Sequence, residues 1–318
     1  MKFSMAARGS AVWRFSFRLA FSLALLYFIL DRVNLASVTE KLGSFAPWAL
    51  FSSLLCQFAS NVTGSIRWRT VMNSAHGARQ SHGFYLRSLF RASFINQCLP
   101  TIIGGDTLRV VDLAKRSVPY REALGGVAID RVSGFAGLML LNLIMLPIAG
   151  NIFPPAMFWT VTLTSAAAIV VVGIGLGMPL DRWLGGSRRL AGLLEMIVFA
   201  RRVFFSFRGL TLQAALSLSV HILSILSIFI LARNLGIQLP LSNFLLILPT
   251  VFLLATIPLS ISGWGIRESS MVSLFAIAGA DQSTILATSV CFGILSLAST
   301  LPGLWFLIRG QHRAAKLG

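Results

Sequence analysis

The sequence predicts an all-α integral membrane protein, and three observations carry that prediction. The 318 residues are 56% hydrophobic with a mean hydropathy of +0.80. Only 12% of the residues are charged, whereas soluble proteins average roughly 25%. The apolar runs are about 20 residues long, the length of a spanning helix rather than of the shorter alternating strands of an outer-membrane barrel.

Hydropathy predicts about six spanning helices and two irregular regions. The predicted spans lie near residues 17–31, 45–66, 124–148, 157–178, 211–232 and 283–308. Two further regions, 86–121 and 243–280, are apolar, then interrupted by proline and glycine, then partly apolar again. We interpret each as a re-entrant broken hairpin, because this is the simplest arrangement for a short interrupted apolar region.

The basic residues predict the orientation of the chain. Of the 27 Lys and Arg residues, 22 lie in the four stretches 1–18, 67–121, 179–210 and 309–318. Loops on the cytoplasmic side of a membrane carry such an excess. We therefore expect a multi-pass protein of the bacterial cytoplasmic (inner) membrane with both termini cytoplasmic. This orientation accounts for the net charge of +17 without nucleic acid, which is not expected as a partner.

The order of the segments predicts an inverted-topology repeat within a single membrane domain, 1–318. The first repeat, 1–150, consists of span, span, hairpin and span. The second repeat, 151–318, has the same order and starts from the opposite side of the membrane. The two hairpins therefore enter from opposite faces.

The two interrupted segments share the spacing P-x4-G-x3-R. The motif comprises Pro100, Gly105 and Arg109 in the first half, and Pro258, Gly263 and Arg267 in the second. Paired interruptions at corresponding places in two halves are typical of the central site of a transporter.

The first break has the chemistry of an anion site. Non-helical backbone at membrane depth requires surrounding protein or a water-filled cavity. Pro100 removes a helical hydrogen bond, while Gly104 and Gly105 permit unusual backbone angles. The free amides of the restarting helix and the guanidinium of Arg109 suit a phosphate. Asp106 either caps this helix, orients Arg109 or meets an amine of the substrate.

The second break offers Gly263, Gly265, Arg267 and Glu268 as the other wall of the same site. The alternative places these residues at the membrane surface, where the charges are solvated. Adjacent residues do not share one helix face, so we expect Arg267 and Glu268 to have different partners.

Other polar residues leave two interpretations open. Asp130 and Arg131 lie near the start of the third span, where ionisable groups either face a functional interior or reach the interface. Arg67 and Arg69 follow the second span and are interpreted as interfacial anchors, with headgroup contact as the alternative. His221 has no second candidate ligand nearby, so it is predicted to be packed or hydrogen-bonded.

The sequence shows no pattern that predicts a cofactor, a metal or a catalytic residue. Cys56, Cys98 and Cys291 lie in apolar stretches without CxxC spacing. Nothing matches a P-loop, HExxH or GxSxG motif.

Four segments together resemble one known family. They are "SIRWRTVM", "LPTIIGGDTLRVVDL", "AIDRVSGFAGL" and "IPLSISGWGIRESSMV", in this order and spacing. They resemble the lysylphosphatidylglycerol synthase transmembrane-domain family, which includes the flippase portion of the multiple peptide resistance factor. The likeness covers nearly the whole chain.

The resemblance implies lipid flipping or a related export of lipid. Its matching polar positions are Arg109, Asp106, Arg131, Arg267 and Glu268. Full synthases of this kind carry a soluble aminoacyl-transferring domain after the membrane part, so we expect that this chain alone does not aminoacylate lipid. Stand-alone relatives are associated with varied lipids, including hopanoids and glycolipids.

The predicted function is therefore translocation of an anionic, aminoacylated or other polar-headgroup lipid. Two alternatives stay open at this point. One is a membrane enzyme that modifies a lipid headgroup, with Asp106 or Glu268 as a general base. The other is a non-catalytic subunit that has a lipid-synthesising enzyme as its partner.

Overall fold

The computed structural model describes residues 35–73, 80–98, 103–149, 154–178, 191–257 and 263–314, and these residues contain α-helices and no β-strand. The helices are α1 (Leu35–Gly43), α2 (Pro47–Met72), α3 (His82–Cys98), α4 (Ile103–Ala114), α5 (Tyr120–Ala149), α6 (Pro155–Gly177), α7 (Ala191–Phe204), α8 (Phe207–Asn234), α9 (Leu241–Ala255), α10 (Ile266–Ile277), α11 (Gln282–Ser299) and α12 (Leu301–Ala314). The prediction of an all-α membrane protein is confirmed.

Long apolar helices lie where the sequence predicts spans. Helices α5, α6 and α8, and the run Gln282–Arg309 through α11 and α12, are each long and apolar enough to cross a membrane. Helices α1 and α2 pass the same test as a pair that bends by 86°. The predicted first span, 17–31, lies outside the described residues.

Each interrupted region consists of two short helices that flank a break. Helices α3 and α4 form the first pair, and α9 and α10 the second. Pro100 and Pro258 lie outside the described residues. Gly263 and Gly265 have φ angles of 80° and 89°, a left-handed conformation that only glycine adopts at little cost.

Helices α2 and α8 pack along one another at the centre of the described bundle. The hydroxyls of Ser53 and Ser227 lie 2.6 Å apart across this interface, and those of Ser60 and Ser224 lie 3.2 Å apart. Small polar side chains allow two membrane helices to approach closely and to satisfy their own hydrogen bonds.

Several helix contacts occur in both halves of the described chain. Helix α3 packs on α4, α4 on α5, and α5 on α8. Similarly, α9 packs on α10, α10 on α11, and α11 on α2. Helix α5 also contacts α9, and α12 contacts α3.

Ion pairs connect segments that the charge pattern assigns to the same side. Lys41 Nζ of α1 lies 2.6 Å from Asp281, which precedes α11. The charge pattern assigns both segments to the outside. Arg121 lies 2.7 Å from Glu195, in two segments assigned to the basic, cytoplasmic side.

Candidate functional site

A polar cavity of about 290 Å³ lies between the first break and the central helices. Helices α2, α3, α4, α5 and α8 line it, together with the junction of α11 and α12. Its charged end is formed by five side chains, which we call the charged cluster. They are Arg67, Asp106, Arg109, Asp130 and Arg131.

Asp130 is the acceptor at the centre of the charged cluster. Arg67 of α2 donates from Nε to Asp130 Oδ1 at 2.9 Å, and Arg109 of α4 donates from Nη2 to Oδ2 at 2.6 Å. All three residues are at most 8% exposed. Asp130 of α5 thus connects two other helices, because a buried carboxylate is stable only with its charge and lone pairs matched.

Asp106 forms the outer layer of the charged cluster. Arg131 donates from Nε and Nη2 to its two oxygens at 2.8 Å and 3.0 Å. Arg109 donates from Nη1 to Asp106 Oδ1 at 3.3 Å. The side chain of Arg131 is 42% exposed, which makes it the most exposed of the three arginine side chains.

The charged cluster carries a net positive charge. Among the described residues that line the cavity, three guanidinium groups meet two carboxylates. One positive charge therefore remains within a bundle of apolar spans, where an unmatched charge is costly. Arg109 Nε is also buried without a hydrogen-bond partner among the described residues. The arrangement is thus suited to an anion.

Close packing of α4 on α3 holds Asp106 and Arg109 in position. The backbone N–H of Gly105 donates to Asn96 Oδ1 at 2.9 Å. A β-carbon at Gly105 would clash with the carbonyl oxygen of Ala92. The guanidinium of Arg109 lies 4.1 Å from the ring centroid of Trp68, a cation–π contact that limits its movement.

The other end of the cavity is polar and uncharged. Gln57, Ser60, Asn61 and Ser224 contribute amides and hydroxyls to it. Gln57 is only 5% exposed, and its Nε2 donor has no partner among the described residues. The sequence interpretation missed these residues, since single amides in an apolar span form no motif.

The second break places its charges in contact with each other. Arg267 donates from Nε to Glu268 Oε1 at 3.0 Å and also from Nη2 to that oxygen. The expectation that they have different partners is wrong. Glu268 lies in the first turn of α10 and turns back, so that its Oε2 accepts the N–H of Gly265 at 2.6 Å, which brings Oε1 within reach of Arg267.

Aromatic rings enclose this second pair. The guanidinium of Arg267 lies 4.8 Å from the ring centroid of Trp264 and 5.4 Å from that of Phe292. Arg267 is 8% exposed and Glu268 is fully buried. None of the described residues 263–268 lines the cavity. The structure therefore brings together Asp106, Arg109, Asp130 and Arg131 of the predicted site residues. Gly104 and Gly105 precede Asp106 in α4 without lining the cavity, and Gly263, Gly265, Arg267 and Glu268 lie apart from it.

Two further sequence interpretations are tested by these contacts. The interpretation of Arg67 as an interfacial anchor is wrong, because Arg67 is buried and donates to Asp130. Asp130 is 63 positions away in the sequence, so no local pattern connects the two residues. The prediction for His221 is confirmed, since its Nε2 lies 2.9 Å from the carbonyl oxygen of Gly134.

The sequence interpretation did not predict one further ion pair, between Asp112 of α4 and Arg91 of α3. Asp112 accepts hydrogen bonds from Ser88 and Arg91, each at 2.6 Å.

Among the described residues no group of His, Cys, Asp and Glu side chains is arranged to hold a metal ion.

The fold and the cavity define a multi-pass α-helical membrane protein with a buried, net-positive polar site. Residues 15–303 match the family described as "Lysylphosphatidylglycerol synthase TM region", and the chain belongs to this family. It is also similar to a "UPF0104 membrane protein" of Methanothermobacter thermautotrophicus, with 22% identity over 305 residues, covering 84% of this chain and 85% of that protein. The family description connects the fold with membrane lipid.

Proposed function

We propose that this protein translocates a polar-headgroup lipid across the bacterial cytoplasmic membrane. The observation that carries the proposal is the net-positive charged cluster in a cavity among membrane spans. A lipid phosphate is the anion that such a membrane site meets at high concentration. Membership of a lipid-associated family supports the same conclusion.

The phosphate is held by the arginines of the charged cluster. Arg131, the most accessible of them, meets the anion first. Arg109 and Arg67 then share it with Asp130, because guanidinium groups bind phosphate and carboxylate in the same planar geometry. Gly104 and Gly105 lie in the same first turn of α4, directly before Asp106. Release follows when the arginines return fully to their carboxylates.

We further propose that the two halves are inverted repeats that expose the lipid alternately to the two faces. The corresponding helix contacts of the two halves support this. In the structure Arg109 faces a cavity and Arg267 is enclosed with Glu268. Opening of the second break would exchange these roles, so that Arg109 and Arg267 hold phosphate in turn. Pro100 and Pro258 are the proposed hinges.

Reconstitution into vesicles tests the proposal. Headgroup-labelled lipids are added to one leaflet, and their exposure on the other is followed with and without imposed gradients. We expect protein-dependent movement that is lost in the double variant Arg109→Ala, Arg267→Ala. The matched control is Arg121→Ala, which removes an exposed arginine outside the cavity. Wild-type movement by the double variant would refute the role of the two breaks.

A lipid-modifying enzyme is the second candidate, because the family description names a synthase. Asp106 lines the cavity and is the acid–base candidate, whereas Glu268 lies elsewhere. Incubation of pure protein with lipid and an activated donor distinguishes the candidates. A new lipid species lost in Asp106→Asn supports the enzyme. Co-purification of a synthase, without transport or product by the pure protein, supports a partner subunit.

A further inference from the structure

The cavity has two chemically different ends, and this difference is informative about the headgroup. The polar stripe of α2 consists of Gln57, Ser60, Asn61, Gly64 and Arg67, all of which line the cavity. Their spacing of three and four places them on one helix face. The stripe covers about 15 Å along the helix at 1.5 Å per residue, which is longer than a phosphate alone requires.

The end of the stripe near Gln57 is rich in donors and acceptors without charge. The hydroxyls of Ser60 and Ser224 donate to the carbonyl oxygen of Val220, at 3.0 Å and 3.1 Å, so each oxygen is left as an acceptor. Gln97 donates to Ser296 at 3.0 Å. Gln57 Nε2 is a buried donor without a partner among the described residues. A buried donor left unsatisfied costs about 1–3 kcal/mol, so a ligand acceptor at this position is favoured.

The carboxylates of the cavity are already engaged. Asp106 accepts from Arg109 and Arg131, and Asp130 accepts from Arg67 and Arg109. An ammonium group on the headgroup would add a positive charge to a cluster in which three guanidinium groups already outnumber two carboxylates. Hydroxyl groups, in contrast, both donate and accept, and so match the serines and amides at the uncharged end.

We propose that the substrate is a phosphodiester lipid with an uncharged polyhydroxyl headgroup. This inference rests on the proposed function and deepens it. The phosphate lies in the charged cluster, and the hydroxyls of a glycerol or sugar lie between Gln57, Ser60 and Ser224. Gln57 is a specificity-determining residue that donates to a headgroup oxygen.

Lipid binding to the purified full chain in detergent, measured by native mass spectrometry, tests this inference. Phosphatidylglycerol is compared with phosphatidylmethanol, which has the same charge and no hydroxyls, and with lysylphosphatidylglycerol. We expect phosphatidylglycerol to bind most tightly. We expect Gln57→Leu to weaken its binding about five-fold and to leave phosphatidylmethanol unchanged.

Two further variants keep the result interpretable. Ser224→Ala should act in the same direction, by about two-fold, if Gln57→Leu does not fold. Gln213→Leu is the matched control, because Gln213 is equally buried and bonded to Thr70 rather than part of the cavity wall. It should leave the ratio of the two affinities unchanged.

The outcomes separate this inference from the proposed function. Equal binding of phosphatidylglycerol and phosphatidylmethanol, or tighter binding of lysylphosphatidylglycerol, overturns the inference while translocation in vesicles persists. Hydroxyl-dependent binding without any translocation overturns the proposed function alone. Soluble glycerophosphoglycerol is the last comparison, and its binding as tightly as the lipid would show that a free phosphodiester is the ligand.

Discussion

The two breaks have the same motif and different chemistry. At the first break, Arg109 pairs with Asp130 of the neighbouring helix and faces a polar cavity. At the second break, Arg267 pairs with the adjacent residue, Glu268, beneath aromatic rings. One region is a net-positive site that includes a half-buried arginine, Arg131, and the other is a neutral, enclosed pair.

The shared motif therefore predicts the position of an arginine after each break but not the carboxylate with which the arginine pairs. The helix next to the first break supplies a carboxylate, Asp130. The helix next to the second break supplies the hydroxyl of Ser289, which donates to Glu268 at 3.3 Å. The residue on the neighbouring helix therefore decides whether the arginine is shared across helices or held within its own helix.

The largest expected effect is that of Asp130→Asn. Arg67 and Arg109 both lose their charged acceptor, and breaking a buried ion pair costs about 3–5 kcal/mol. Thermal and denaturant unfolding in detergent should show this loss relative to the Arg121→Ala control. A stability within about 0.5 kcal/mol of wild type, the usual range for surface substitutions, would show that Asp130 does not connect the three helices.

Glu268→Gln tests the second break in the same way and should be milder. Glu268 is the charged acceptor of one arginine, whereas Asp130 is that of two. The expected loss is therefore that of charge-assisted hydrogen bonds to one partner, about 1.5–3 kcal/mol. Binding of phosphatidylglycerol by the folded variant should remain at the wild-type level, because Glu268 does not line the cavity. If binding and stability fell together, the separation of the two breaks would be wrong.

The glycines of the two breaks should respond to alanine for different physical reasons. At Gly105 a β-carbon meets the carbonyl oxygen of Ala92, so α4 must move away from α3, at about 1–3 kcal/mol for overpacking. At Gly263 the φ angle is 80°, and an alanine in this left-handed conformation should cost about 1–2 kcal/mol of stability.

Transport separates these two variants more clearly than stability does. Gly105→Ala displaces Asp106 and Arg109 and should slow translocation. Gly83→Ala is the control, since Gly83 lies in α3 away from the cavity wall and a β-carbon there meets nothing within 4 Å. Unchanged translocation by Gly105→Ala would show that the cavity tolerates movement of α4.

The sequence predicted the all-α membrane class and four of the five residues of the charged cluster. Apolar length is a local signal, and the long apolar helices lie close to the predicted spans within the described residues. Asp106, Arg109, Asp130 and Arg131 were also recognised, because charge in an apolar segment is conspicuous. Their meeting in one cluster depends on how α4 packs on α5.

The rest depended on contacts between distant segments. Arg67 was misinterpreted because its partner lies on another helix, and Gln57 was missed because one amide has no periodicity. The pairing of Arg267 with Glu268 contradicted a rule for helix faces, since a residue in the first turn can bend toward the free amides of the helix start. Local patterns therefore predicted elements, and packing determined partners.

The loss of stability should be smallest for an ion pair outside both breaks, Lys41 and Asp281. It provides a reference for the larger losses expected at the buried ion pairs. Burial acts to raise the pKa of Asp281, but hydrogen bonds from Lys41 and Thr284 outweigh it and hold the pKa below its ordinary value. A lowered pKa stabilises the folded protein above the pH where the unfolded carboxyl titrates, near about 4, and this stabilisation is lost as the pH falls further.

Lys41→Gln should therefore destabilise the protein by about 0.2–1 kcal/mol at pH 7, the usual range for exposed ion pairs. Its side chain and that of Asp281 are 29% and 55% exposed, so added salt should reduce the effect. Unfolding temperatures of wild type and variant, measured from pH 7 downward, should converge below about pH 4. A constant difference would assign the effect to packing of the lysine stem. A loss above about 3 kcal/mol would be as large as that expected for Asp130→Asn. It would show that this partly exposed ion pair stabilises the protein as much as the buried charged cluster does.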